Sequence, residues 1–287
     1  MIKIRWKDPG VQNLQVRECG GVTYLSYPAL ERTGVVRHGF STRLGGVSQG
    51  CLSSMNLGFG RGDERANVEE NFRRIAAAIG FSVEDIVTSD QTHTTNVRKV
   101  TAQNKGSGII RARDFQDVDG MITDVPGVVL ATFYADCVPL YFVDPVNRAI
   151  GLSHSGWRGT VGKIGRETVE AMGREYGTRA QDLTVAIGPS ICRQCYEVSE
   201  DVIRQFQRNF PREQWPALYD SKENGKYQLD LWKANQCILE EAGVLSDHIV
   251  QPNLCTCCNS DFLFSHRASR GKRGNLAAFL ELTEEPC

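Results

Sequence analysis

Residues 128–160, VVLATFYADCVPLYFVDPVNRAIGLSHSGWRGT, decide the fold class. Positions 128–134 are almost wholly apolar, as in a strand buried on both faces. A second apolar run at 140–143 is closed by the turn residues Asp144, Pro145 and Asn147, and a third strand follows at 149–154. That strand runs into a glycine-containing loop and then a helix, whose buried stripe is Val161, Ile164, Thr168 and Met172. Working outward, the spacing of Val68, Phe72, Ile75 and Ile79 predicts a helix over 63–80 ended by Gly80. A strand at 184–187, a helix from about Ser199, and a helix over 229–242 with Asp230 as N-cap and Gly243 as C-cap complete the reading. Strands and helices interleave, so the chain is mixed α/β (α+β). No repeat or linker divides its 287 residues, and a single domain over 1–287 is expected, with the first 20 or so residues peripheral. Residues 101–118 read as a polar surface excursion.

Composition narrows the function classes. The 33 Lys+Arg nearly balance the 34 Asp+Glu, so no field of one sign argues for nucleic acid or an anionic membrane. The N-terminal MIKIRWKDPG lacks the apolar core of a signal peptide, and no run reaches membrane-spanning length. A cytoplasmic protein is expected, whose 10 cysteines stay reduced and serve metal binding, catalysis or packing.

Several stretches carry chemistry. In Ser153-His154-Ser155-Gly156-Trp157-Arg158-Gly159-Thr160 a strand turns into a helix, whose unpaired N–H groups together with Arg158 suit an anion. The same pattern also serves as a tight turn that binds nothing. Asp136-Cys137 stands where the apolar strand stops, and reads either as a reactive or ligating thiol or as a structural Cys after a turn-forming Asp. His93 sits in the polar stretch DQTHTT. The loop 38–48, with Ser41 and Arg43, and the basic loop 265–274 offer anion-binding groups or merely solvated ones. Cys192-x-x-Cys195 and Cys255-Thr256-Cys257-Cys258 raise a rival four-thiolate metal site. C-x-C-C departs from the usual knuckle spacing and CRQC lacks zinc-ribbon flanks, so the sequence gives that site little weight.

HGFSTRLGGVS (38–48), SSMNLGFGRGD (53–63), NVEENFRRIAAAIG (67–80), DQTH (90–93), DGMITDVPGVVLATFYADCVPLYFVDP (119–145), IGLSHSGWRGTVGKI (150–164), AIGPSICRQCYEV (186–198) and CTCCNSDFLFSHRASRGKRGNLAAFL (255–280) occur in one order. Together they resemble the YfiH or laccase-domain family, formerly called multicopper polyphenol oxidases. The resemblance covers almost everything after about residue 20. It implies a mixed β-sheet sandwich flanked by helices and a zinc site at His93, Cys137 and His154, with copper possible at the same ligands. It also implies phosphorolysis of purine nucleosides (adenosine, inosine, guanosine, methylthioadenosine) with inorganic phosphate, and adenosine deamination. Asp136, Arg74 and Arg43 are then the expected catalytic groups, and Ser41, Asn71 and Arg158 the expected substrate and phosphate contacts. Here the family's helix motif reads Asn71-Phe72-Arg73-Arg74, and its terminal T-G-R reads Arg273-Gly274-Asn275 after Lys272. Five histidines (38, 93, 154, 248, 266) are too few for a multicopper cluster. A single-copper oxidoreductase, a Cys137/His154 cysteine hydrolase, and a non-catalytic binding protein remain as alternatives.

Overall fold

The computed structural model describes residues 3–284. Two six-stranded sheets lie face to face. The first runs, in spatial order, Gln15–Cys19, Val22–Ser26, Val36–Ser41, Leu276–Leu282, Val129–Tyr134 and Ile86–Thr88. All its pairs are antiparallel except the last. The second runs Ile249–Val250, Thr184–Ile187, Val138–Asp144, Ala149–Ser155, Gly120–Thr123 and Val97–Lys99, with parallel pairs at its two edges.

The period-2 alternation of strands explains the uniformly apolar runs. In Val129–Tyr134, Leu130 and Tyr134 enter the core between the sheets, while Val129 and Ala131 enter a second core under the helix Arg65–Ile79. In Val138–Asp144, Tyr141 and Val143 face the inter-sheet core, while Leu140 and Phe142 face the helices Ile164–Tyr176 and Leu231–Glu241. The result is a helix–sheet–sheet–helix stack, the mixed sandwich flanked by helices that the sequence led us to expect.

The helix expected over 63–80 spans Arg65–Ile79 and ends at Gly80, whose φ of 103° only glycine adopts freely. Asp230 caps Leu231–Glu241 by accepting from Lys233 N at 3.0 Å. One expectation needs correction. The helix after Gly156 is not continuous: Trp157–Val161 stops, Lys163 takes φ 61°, and a new helix starts at Ile164. Val161 therefore lies off the main buried stripe. The excursion 101–118 also does more than cover surface, since Ile109 and Phe115 are buried.

Candidate metal centre and cavity

Of the places where the chain passes between the sheets, two carry site residues, and both lie at the same end of the sandwich. Val129–Tyr134 belongs to the first sheet and Val138–Asp144 to the second, so Ala135-Asp136-Cys137 is the corner between them. Asp136 makes that corner with φ 88°. Likewise, the loop from Ile86–Thr88 to Val97–Lys99 crosses between sheets and carries His93, itself at φ 68°. His154 stands near the end of Ala149–Ser155, opposite Pro139 in the ladder. Three residues far apart in sequence thus meet, with one ligand atom from each of His93, Cys137 and His154 all within 4.8 Å of one another.

Asp119, fully buried, organises the trio. Its Oδ1 is 2.7 Å from His154 Nδ1, and its carbonyl accepts from His154 N at 2.7 Å. Its Oδ2 accepts from Thr92 N (3.0 Å) and Thr94 N (2.9 Å), bracketing His93. One carboxylate therefore orients one imidazole through its ring and the other through its loop, leaving His154 Nε2 toward Cys137. Burial raises the Asp119 pKa, but the bonds to His154 and the loop outweigh it and hold the carboxyl below its usual range. Sequence reading gave Asp119 no role; the only signal was its place at the head of the block 119–145.

The electrostatics suit a cation. Burial pushes the Cys137 thiol up, yet the adjacent imidazoles more than reverse this and bring it down to about 6. Burial depresses His154, whereas Cys137 and Asp119 carry it up to about 9. Each group favours the charged form of the other, and a cation bound between them would take the place of the imidazole proton. A Cβ on Gly156 would lie 3.0 Å from His93 Cδ2 and 3.2 Å from Cys137 Sγ, so glycine lets the following turn close over the trio. Two nitrogens and a sulfur with one side facing a cavity match the donor set of an open, tetrahedral site.

That cavity, of about 280 Å³, is lined by polar groups around the trio, including Asp90, Arg113, Arg273 and Asn275. Arg273 Nε is buried and has no hydrogen-bond partner. Burial, with Arg61 nearby, lowers the Arg273 pKa to about 10. Arg113 reaches the cavity from the 101–118 excursion, bonded to Thr88 Oγ1 at 3.1 Å and paired with Asp90 at 3.3 Å. A smaller cavity of about 80 Å³ also touches His93 and Cys137, and is bordered by Asp136, Arg158 and Tyr196.

The other residues expected at the site are distributed differently. Arg158 stacks on Trp157 at 4.3 Å and borders only the smaller cavity; its helix is a five-residue turn with no room for the expected dipole-driven anion site. Asp136 is adjacent to the trio, but both its oxygens are taken, by Thr256 Oγ1 (2.7 Å) and Arg267 N (2.7 Å). Arg43 donates to the carbonyls of Ser53 and Ser260 and lies over Phe264, knitting loops together. Ser41 Oγ accepts from Ala277 N, and Asn71 clasps the 47–56 loop through Val47, Ser48, Ser54 and Asn56. Arg74 lies exposed on the outer helix, paired with Glu70. None of Ser41, Arg43, Asn71 and Arg74 lines either cavity, because packing and loop closure already use their polar atoms.

Against known proteins, residues 37–283 match the family described as multi-copper polyphenol oxidoreductase laccase. The chain belongs to this family. It is 40% identical over 251 residues to "Purine nucleoside phosphorylase YlmD" of Geobacillus stearothermophilus, covering 86% of this chain and 90% of that one. It is 40% identical over 247 residues to "Purine nucleoside phosphorylase" of Deinococcus radiodurans, covering 86% and 89%. The crystal structure of the hypothetical protein YfiH of Bacillus licheniformis superposes with a TM-score of 0.87 at 34% identity, covering 93% of this chain and 99% of that one. The fold is therefore that of the YfiH family. Among the described residues, no helix is long and apolar enough to cross a membrane.

Proposed function

We propose that the protein is a zinc-dependent purine nucleoside phosphorylase that takes a purine nucleoside and inorganic phosphate, with adenosine deamination as a second activity. The observation that carries this is the cavity with the His93–Cys137–His154 trio on one wall and two arginines on others. The names of its relatives point the same way. When bound, the metal supplies a Lewis acid beside the reacting base or its attacking water.

The chain's own groups do the rest. Phosphate needs a planar cation that can bind two oxygens, and Arg273, with its free Nε, is the best placed, seconded by Arg113. These two replace Arg43, Arg74 and Arg158 as the phosphate-holding arginines in our proposal. Asp90, which lines the cavity and pairs with Arg113, is the carboxylate nearest to hand for proton transfer. Asp136, with both oxygens engaged, is assigned as a positioning residue that holds the corner carrying Cys137.

A multicopper centre does not fit, because the remaining histidines lie elsewhere. His38 is in the inter-sheet core accepting from Tyr27 N, His248 contacts the Leu183 carbonyl, and His266 is exposed. Nothing beyond a single copper would find imidazole ligands here. A second reading rests on one observation: Asp119, His154 and Cys137 form a row resembling an oriented base and nucleophile.

The test is to incubate metal-replete protein with inosine or adenosine, with and without phosphate, and to resolve free base, ribose-1-phosphate and ammonia. Phosphate-dependent base release that disappears on chelation is the expected result, with Arg273→Ala raising the KM for phosphate. Absence of phosphate-dependent base release overturns the proposal. Turnover that survives metal stripping but not thiol alkylation favours the cysteine hydrolase.

A further inference from the structure

On the far side of the Asp136 corner lies a second sulfur cluster. The Sγ atoms of Cys192, Cys195, Cys255 and Cys258 all fall within 4.8 Å of one another, and Cys195 Sγ is 3.5 Å from Cys258 Sγ. Cys192 and Cys255 are buried, and the other two are half-buried. Metal–sulfur bonds of about 2.3 Å in a tetrahedron set sulfurs about 3.8 Å apart. The cluster therefore has the dimensions of a four-thiolate cage. It has no disulfide, which would need a separation of about 2.05 Å.

Backbone detail agrees. Cys255 Sγ accepts from Cys192 N at 3.2 Å and from Cys258 N at 3.4 Å. Amides aimed at a sulfur favour its thiolate form, as positive neighbours do. The Lys7 ammonium lies beside Cys192, in a position to offset part of the negative charge that four thiolates and a divalent cation would leave. The spacing is regular once Cys257 is set aside as an intervening residue: Cys192-x-x-Cys195 faces Cys255-x-x-Cys258. Reading CTCC as a C-x-C-C unit concealed this spacing, which together with the flanks of CRQC had counted against a four-cysteine site.

We propose that Cys192, Cys195, Cys255 and Cys258 form a closed structural zinc site, separate from the His93–Cys137–His154 centre. With four protein sulfurs and no open position, its role is bracing rather than chemistry. The two knuckles belong to the loops that hold Asp136. Ile191 N donates to the Asp136 carbonyl at 3.0 Å, Thr256 Oγ1 donates to its carboxylate, and Ser190 bridges to Cys255 and accepts from Thr256 N at 3.1 Å. A metal pinning both loops would fix the corner from which Cys137 projects. The inference stands independently of the proposed reaction, because it rests on a different set of ligands.

The experiment is metal counting by mass spectrometry on full-length protein purified under reducing conditions with zinc supplied, for the wild type, His93→Ala/His154→Ala and Cys258→Ser. The histidine double variant is expected to keep one tightly held equivalent that survives dialysis. Cys258→Ser, at a half-exposed position chosen to spare the core, is expected to lose one equivalent relative to the wild type. Cobalt loaded into the histidine variant should give the intense thiolate charge-transfer and d–d bands of a tetrahedral sulfur site. A histidine variant that holds no zinc overturns the proposal, as do disulfides among these four cysteines in protein isolated anaerobically.

Discussion

At the residue scale, Asp119 shows how one side chain can set a site it does not itself form. Its two oxygens serve different customers, His154 Nδ1 on one side and the amides flanking His93 on the other. Asp119→Asn keeps the size but loses the charge and one acceptor, so either the imidazole or the loop is left without its partner. Loss of such an outer carboxylate typically weakens metal binding about 10- to 100-fold. We expect a drop of that size in competition with a calibrated chelator, at a metal site still present by stoichiometry under saturating zinc. Unchanged affinity with an unchanged melting temperature would remove Asp119 from the positioning role. The contrast with Arg74 is instructive. An arginine on a helix near other motif residues looks functional in sequence, yet it points outward and pairs with Glu70.

Among the elements, the functional end of the molecule depends on where strands stop. The corner at 135–137 and the crossover at 89–96 exist because neighbouring chain segments belong to different sheets. Sequence patterning identified the strands flanking the corner but not those flanking the crossover, nor either change of sheet, since an apolar run looks the same whichever sheet it joins. Helix ends were more legible, because caps are local chemistry. Asp230→Ala removes the bond to Lys233 N and should cost about 1 kcal/mol of stability in urea unfolding. Metal content should be counted in the same variant, since Asp230 also lies within electrostatic reach of Cys192. A loss indistinguishable from zero would mean that another acceptor serves the first turn of Leu231–Glu241. The interruption at Lys163 was not read from the sequence: the spacing of Val161 and Ile164 suits one helix, yet the chain breaks at Gly162-Lys163.

For the molecule as a whole, the inter-sheet core contains an ionisable group that ties stability to pH. His38 is buried, stacked near Tyr27 and Tyr141, and its Nε2 accepts from Tyr27 N at 2.7 Å. Burial lowers its pKa from 6.5 to about 4. Between those values the unfolded chain binds the extra proton and the folded chain does not. Stability from this group is therefore full above about 6.5 and falls progressively as pH drops toward 4. At about 1.4 kcal/mol per pH unit, the loss is about 3 kcal/mol. His38→Gln keeps an acceptor for Tyr27 N without the titration. Urea unfolding near neutrality and near pH 4 should show the wild type losing about 3 kcal/mol more than this variant. Equal losses would show that His38 is not the group responsible.

The sequence by itself determined the period-2 and helical patterns, the long helices, four of the twelve strands in the two sheets, the caps and, through the ordered motif blocks, the family and its expected sandwich. These are local or collinear properties, readable without knowing which segments meet. Tertiary structure alone decided the rest. It placed His93, Cys137 and His154 together at one end of the sandwich, and it gave Asp119 both histidines to hold. It brought Arg113 and Arg273 into the cavity in place of Arg43 and Arg74, whose polar atoms loop closure and an ion pair had already taken. It also turned an irregular-looking run of cysteines into two facing knuckles. Contacts among residues tens to hundreds of positions apart follow from the pairing of strands and the packing of layers, and no spacing rule along the chain encodes them.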